Sequence, residues 1–178
     1  MKIRGLSLTR PWPSAFTEGP VELRKRVENR SWPIPSGLMG HFVALHAAKS
    51  YHLADCEFIE DILGVEMPSE KDAQHSVIFA VGVLVGQVTS DRDARLDHVQ
   101  RRWFSGPFCW LIADIVPLIV PVSCSGARGL WPLEPELLER VRRAYIDSAV
   151  GAPVEPLDRE FRQVQPRLLS LQGWESGK

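Results

Sequence analysis

The sequence predicts an α+β fold in which a small β-barrel of about five to six strands carries flanking helices. Three observations support it. Segments follow the order strand, short helix, basic element, strand, helix, three strands, helix, which leaves few positions for a parallel crossover. Residues 77–88 form a run apolar on both faces, as a buried strand requires, and Gly82 and Gly86 fall on the same face of it. Glycines so spaced allow a strand to bend sharply or approach another backbone, as in a small closed barrel. Residues 134–149 set Leu137, Leu138, Val141, Ala144 and Tyr145 on one helical face. On the other face Glu136 with Arg140 and Glu139 with Arg143 are spaced for favourable pairs.

The remaining elements follow in chain order. Residues 3–9 alternate Leu6 and Leu8 with Ser7 and Thr9 and read as the first strand, ended by Arg10-Pro11. Residues 11–18 suit one or two helical turns, because proline is tolerated where its missing donor is not needed, and Gly19-Pro20 stops them. Residues 40–47 read as the second strand, with His46 and Lys49 at its end. Over residues 50–63 the apolar residues Leu53, Ala54, Phe58, Ile59 and Ile62 recur at helical intervals, and Gly64 is a stop signal. Two short strands, 108–115 and 118–122, are expected between Gly106-Pro107, Pro117 and Pro121. Residues 1–150 make up the domain. Residues 151–178, with Pro153, Pro156 and Pro166, read as a C-terminal extension, part of which folds back through Leu168, Leu169 and Trp174.

Composition narrows the function. A chain of 178 residues, 44% hydrophobic and 24% charged, fits one folded domain with a real core. No apolar run approaches the roughly 18 residues of a membrane-spanning helix. The N-terminus shows no apolar block before a cleavage site, so the chain reads as cytoplasmic, with no membrane partner. Cys56, Cys109 and Cys124 are widely spaced in apolar surroundings and read as reduced thiols. The five histidines show no ligand spacing, so neither metal nor cofactor is expected. A net charge of -1 excludes strong nonspecific attraction to a polyanion, and any such affinity must come from a local patch.

One patch stands out. Residues 23–32 place four cations, one carboxylate and one indole in ten positions, including Lys25, Glu28, Arg30 and Trp32. Such a set can hold an anion, hydrogen-bond a base edge and stack on its face. It can equally be a solvated, self-neutralising edge. In a regular strand Lys25 and Glu28 point to opposite faces, so a shared site requires a helix-to-strand junction or bulge within residues 24–28. Arg101-Arg102-Trp103 is a second cluster of cations and an indole.

In this order, residues 6–15 from Leu6 through Arg10-Pro11-Trp12, residues 25–32, residues 40–48, Phe108-Cys109-Trp110-Leu111 and Gly129-Leu130-Trp131 resemble an ASCH domain, the activating signal cointegrator homology domain of the PUA-like superfamily. The likeness covers about residues 3–133. It implies a PUA-like barrel whose cleft takes RNA, DNA or a nucleoside or nucleotide, with Arg10, Trp12, Lys25, Glu28, Arg30, Trp32, His46 and Lys49 as the binding residues. The family's Gly-x-Lys-x-x-Glu-x-Arg pattern is met at Lys25, Glu28 and Arg30, while Leu23 takes the glycine position.

These readings make a binding module without its own chemistry the leading expectation. The alternative is a small metal-independent hydrolase acting on RNA or on an acylated nucleoside, since some PUA-like proteins use a lysine-activated hydroxyl. Here Glu28 occupies the hydroxyl's position, so Glu28 would act as general base on water with Lys25 as stabiliser, and Ser7 and Ser31 are substitute hydroxyls. A protein-interaction role through the acidic residues 55–61 or the C-terminal extension is a third class.

Overall fold

The computed structural model describes residues 2–149 and 175–176. The chain begins with β1 (Lys2–Arg10), the short helix α1 (Ser14–Thr17), a 3-10 turn at Val21–Leu23 and β2 (Val27–Arg30). There follow β3 (Phe42–Tyr51), α2 (Cys56–Leu63), β4 (Val77–Val88), α3 (His98–Trp103), β5 (Phe108–Ser123), β6 (Leu130–Trp131) and α4 (Pro135–Ala149). A two-residue strand, β7 (Glu175–Ser176), pairs in parallel with the start of β1. The extension expected over residues 151–178 otherwise lies outside the described residues.

The hydrogen-bonded path runs β2-β5-β4-β3-β1-β6. It is antiparallel except where β1 lies parallel to β3. Alternation along β3 separates two cores: Phe42 and Ala44 join one, while Val43, Leu45 and Ala47 join the other. The first core takes the apolar faces of all three longer helices, through Ile59 and Ile62 of α2, Val99 and Trp103 of α3, and Val141 and Tyr145 of α4. The second, on the other face of β3, contains Leu6, Leu8, Phe16, Trp110 and Ile112.

Curvature comes from β4. Pairing with β5 slips between Val81 and Val83 and again between Leu84 and Gly86, so each of the two glycines sits at an irregularity. A Cβ on Gly82 would meet Ile112 Cγ2 at 2.5 Å, a separation that real side chains do not adopt. The path nevertheless stays open. β6 pairs with Gly5 and Leu6 alone, so beyond Leu6 that side of β1 faces β2, the opposite margin of the sheet. Arg30 of β2 donates from Nη2 to the Ser7 carbonyl at 3.3 Å. A side chain therefore bridges a seam where a closed barrel would have a ladder.

Several elements correct the sequence expectations. The two strands expected at 108–115 and 118–122 are one strand of 16 residues. Pro117 and Pro121 are accommodated because the register passes from Ala80↔Pro117 to Ile78↔Val122, leaving four residues of β5 against one of β4 in a wide bulge. Asp114 interrupts the regular strand geometry differently, with a left-handed backbone at φ 51°. β3 runs on to Tyr51, so the helix expected from residue 50 begins as a 3-10 turn at Leu53–Asp55 and becomes α-helical at Cys56. α3 was not foreseen, although its cap, Asp97 accepting from the Gln100 amide, is an ordinary N-terminal signal.

Candidate functional site

The seam holds a cleft of about 220 Å3 lined from β1 by Ser7, Leu8 and Thr9 and from the facing margin by Lys25, Glu28, Asn29 and Arg30. Trp12, His52 and Ser105 complete its rim. That volume is below the roughly 300–1000 Å3 of ordinary small-ligand pockets and suits a single group rather than a whole cofactor.

Lys25 and Glu28 do meet on one side, and a junction is the reason. Between the 3-10 turn ending at Leu23 and the start of β2 at Val27, residues 24–26 belong to neither element. The Lys25 amide donates to Ala15 O at 2.8 Å, anchoring the junction to α1. Gln100 of α3, fully buried, clamps both flanks: its Nε2 donates to Arg24 O at 2.8 Å and its Oε1 accepts from Arg26 N at 2.7 Å. Trp103 Nε1 adds a bond to Leu23 O at 3.0 Å. Lys25 is thereby presented by backbone bonds rather than by strand parity.

The charges form a short relay. Lys25 Nζ lies 2.8 Å from Glu28 Oε2, and Arg30 Nη2 lies 2.9 Å from Glu28 Oε1. Lys25 is 2% exposed, and its ammonium sits 4.9 Å from the Phe16 ring centroid and 5.3 Å from that of Trp12. Aromatic faces and a carboxylate together offset the cost of removing this cation from water. Arg30 retains 20% side-chain exposure and is the cation that a ligand entering the cleft would meet first. Two cations against one carboxylate leave a surplus positive charge in a sheltered place, where it acts more strongly than on an open surface.

Of the eight nominated binding residues, Trp12, Lys25, Glu28 and Arg30 line this cleft. Trp12 is half-buried and already engaged: Lys25 lies over its ring, Phe58 and Trp103 pack against it, and its Nε1 donates to Asp55 Oδ2 at 2.7 Å. The other four lie elsewhere. Arg10 is buried and its guanidinium donates to the carbonyls of Lys49, Glu70 and Ala73 while resting on the Tyr51 ring. Trp32 packs edge-on against Trp110 at 4.6 Å. Lys49 is exposed on β3. His46 is buried, with Ser7 Oγ 3.1 Å from Nδ1 and Cys124 O 3.3 Å from Nε2, and burial pushes its pKa below the ordinary value of 6.5.

Ser7 contributes its backbone to the seam, while its hydroxyl turns toward His46 and the Trp131 indole nitrogen, 3.2 Å away. Beneath the seam, burial pushes the Cys109 thiol up to about 12, against the opposing influence of Lys25. Asn29 was missed by sequence reasoning. Its amide ties Trp103 O and the Ser105 amide together, holding the end of α3 against β2. In the second basic cluster Trp103 is core, Arg102 pairs at the surface with Asp61 at 2.9 Å, and Arg101 is exposed. Among the described residues no three His, Cys, Asp or Glu side chains gather as a metal site, and no helix is long and apolar enough to cross a membrane.

No family model matches the chain, and no curated protein matches it. Among solved structures it is similar to ASCH from Zymomonas mobilis, at 16% identity and a TM-score of 0.44, over 78% of this chain and 92% of that one. A single-residue mutant of the same Zymomonas mobilis protein aligns at 18% identity and a TM-score of 0.44, over 79% of this chain and 96% of that one.

Proposed function

We propose that the protein is a nucleic-acid- or nucleotide-binding module that takes an anionic or acceptor-rich group, a phosphate or a base edge, into the seam cleft. The observation that carries this reading is the Lys25–Glu28–Arg30 relay, which leaves surplus positive charge and a half-sheltered guanidinium at the mouth of a small cavity. Glu28 works here as a brace that holds two cations on one side, and Arg30 as the forked donor suited to phosphate or carbonyl oxygens. Stacking is not part of the proposal, because both Trp12 and Trp32 are engaged by neighbours.

The hydrolase alternative has less support. Each Glu28 oxygen already accepts from a cation, which weakens it as a general base. The test is a parallel titration of single-stranded RNA, duplex DNA and nucleoside monophosphates at two salt concentrations, with product analysis on the same samples. Arg30→Ala is expected to weaken binding at least tenfold and, for a phosphate contact, to reduce the salt slope by about 0.7–0.9. Lys25→Met is expected to weaken binding less, since Arg30 remains. Unchanged affinity in both variants would remove the cleft as the site, and turnover in the wild type would reinstate the hydrolase.

A further inference from the structure

A second and larger cavity lies away from the seam, between α1, the loop that follows α2, and the wide bulge of β5. It measures about 610 Å3, within the range of sites that hold ligands or peptide side chains. Its lining is mixed: Pro11, Phe79, Pro117 and Leu118 supply an apolar part, to which the proline rings bring no N–H donor, and Ser14, Thr17, Glu18, Glu66, Asp72 and Gln74 supply a polar part. The bulge adds to this surface. It carries Ile119 and Val120 outward at 75% and 70% exposure, although both belong to a strand that is otherwise buried for most of its length.

That projection is built rather than slack. Pro117 and Pro121 bracket it, and the Ile119 amide donates to Ser148 Oγ of α4 at 2.9 Å, with the same hydroxyl bonded to Ala144 O. A bulge re-aims side chains. Here it turns two aliphatic residues to solvent beside the groove, on the part of β5 that pairs with β4 alone, and adds exposed apolar surface to it.

The rim supplies the sign of the partner. Glu18, Glu66 and Asp72 stand exposed around the opening. The one cation in the wall, Arg10, is buried with its guanidinium committed to three carbonyls. Three exposed carboxylates against one buried guanidinium disfavour a polyanion and favour positive charge beside the apolar part of the lining.

We propose that this groove is a docking site for a short apolar peptide segment of a partner protein flanked by arginine or lysine, with aliphatic side chains entering between Phe79 and Ile119 and the cations meeting Glu18, Glu66 and Asp72. This surface is separate from the seam cleft, and its occupant has the opposite charge.

The test uses the full chain, isotope-labelled, titrated with two capped tetrapeptides, Arg-Leu-Leu-Arg and Glu-Leu-Leu-Glu, while amide shifts are followed. The basic peptide is expected to shift the signals of Ala73, Phe79, Leu118 and Ile119, and the acidic one to bind at least tenfold more weakly. The double variant Glu66→Lys with Asp72→Lys, both exposed, is expected to lower affinity for the basic peptide at least fivefold with an unchanged melting temperature. Equal binding of the two peptides, shifts confined to the acidic face of α2, or indifference to the double variant would each overturn the proposal. So would a concentration-dependent dimer abolished by Ile119→Asp, which gives the face to a second copy. Nuclear Overhauser contacts from residues 150–174 to Phe79 would give it to the chain itself and overturn it likewise.

Discussion

The seam cleft and the proline-walled groove belong to one sheet but differ in what lies beneath the surface they present. The cleft is small, and its charged groups are themselves interior: Lys25 is almost fully enclosed, and Glu28 touches both of its cations. The groove is nearly three times larger, and its carboxylates stand at an exposed rim over a lining of mixed polarity. Binding and folding are therefore entangled in the cleft and separable in the groove. A change at the cleft removes a partner from a buried charge, whereas a change at the groove leaves the core intact.

That contrast is open to measurement, and the largest effect belongs to the carboxylate. Glu28→Gln keeps the shape but leaves Lys25 and Arg30 facing each other without a counter-charge, and urea unfolding should show a loss of about 3–5 kcal/mol. A loss below 1 kcal/mol would mean that the relay is solvated and that the two sites are energetically alike. Gln100→Ala comes next. It strips the Arg24 carbonyl and the Arg26 amide of their partner and should cost about 1–3 kcal/mol, with weaker ligand binding at the cleft and no change in peptide binding at the groove.

His46 provides a pH-dependent comparison beside the seam. Its folded pKa is depressed by burial, so between that value and 6.5 the unfolded chain binds the extra proton and stability rises with pH. Acidification below about 6.5 should destabilise the wild type, and the difference between wild type and His46→Gln should shrink as pH falls through that window. A pH-independent difference would show that the imidazole does not titrate differently on folding. The smallest effect is expected at the groove, where Ile119→Asp should change stability by less than about 0.5 kcal/mol, because the residue is exposed before and after.

How far the molecule was legible depends on the range of the interactions involved. β4 follows from an unbroken apolar run and α4 from helical periodicity, local signals that need no partner to be seen, and their observed bounds match to within a residue. The junction at residues 24–26 followed from parity: two side chains three positions apart cannot share a face of a strand, so a common site required a break. β5 defeated the same kind of reasoning. Pro117 and Pro121 punctuate the sequence, yet a bulge absorbs both without ending the ladder.

Arg10 shows the deeper limit. Beside Pro11 and Trp12 it looked like a ligand contact, but its fate is set by carbonyls at residues 49, 70 and 73, which only the folded chain brings near. The clamp on Lys25 was invisible for a similar reason, since Gln100 lies more than 70 residues downstream. The groove was not foreseen either, being assembled from α1, the loop after α2, and β5.

The bond from Arg30 to the Ser7 carbonyl gives the seam a further property. Because this guanidinium joins the two margins of the sheet, any molecule that fixes it also fastens the first strand to the second, and occupancy becomes a term in the folding equilibrium. At a hundredfold excess over its dissociation constant such a ligand adds about 2.7 kcal/mol to stability. Amide protons of β1 and β2 would then exchange more slowly together, so the rate at which the seam breathes is a gauge of how full the cleft is.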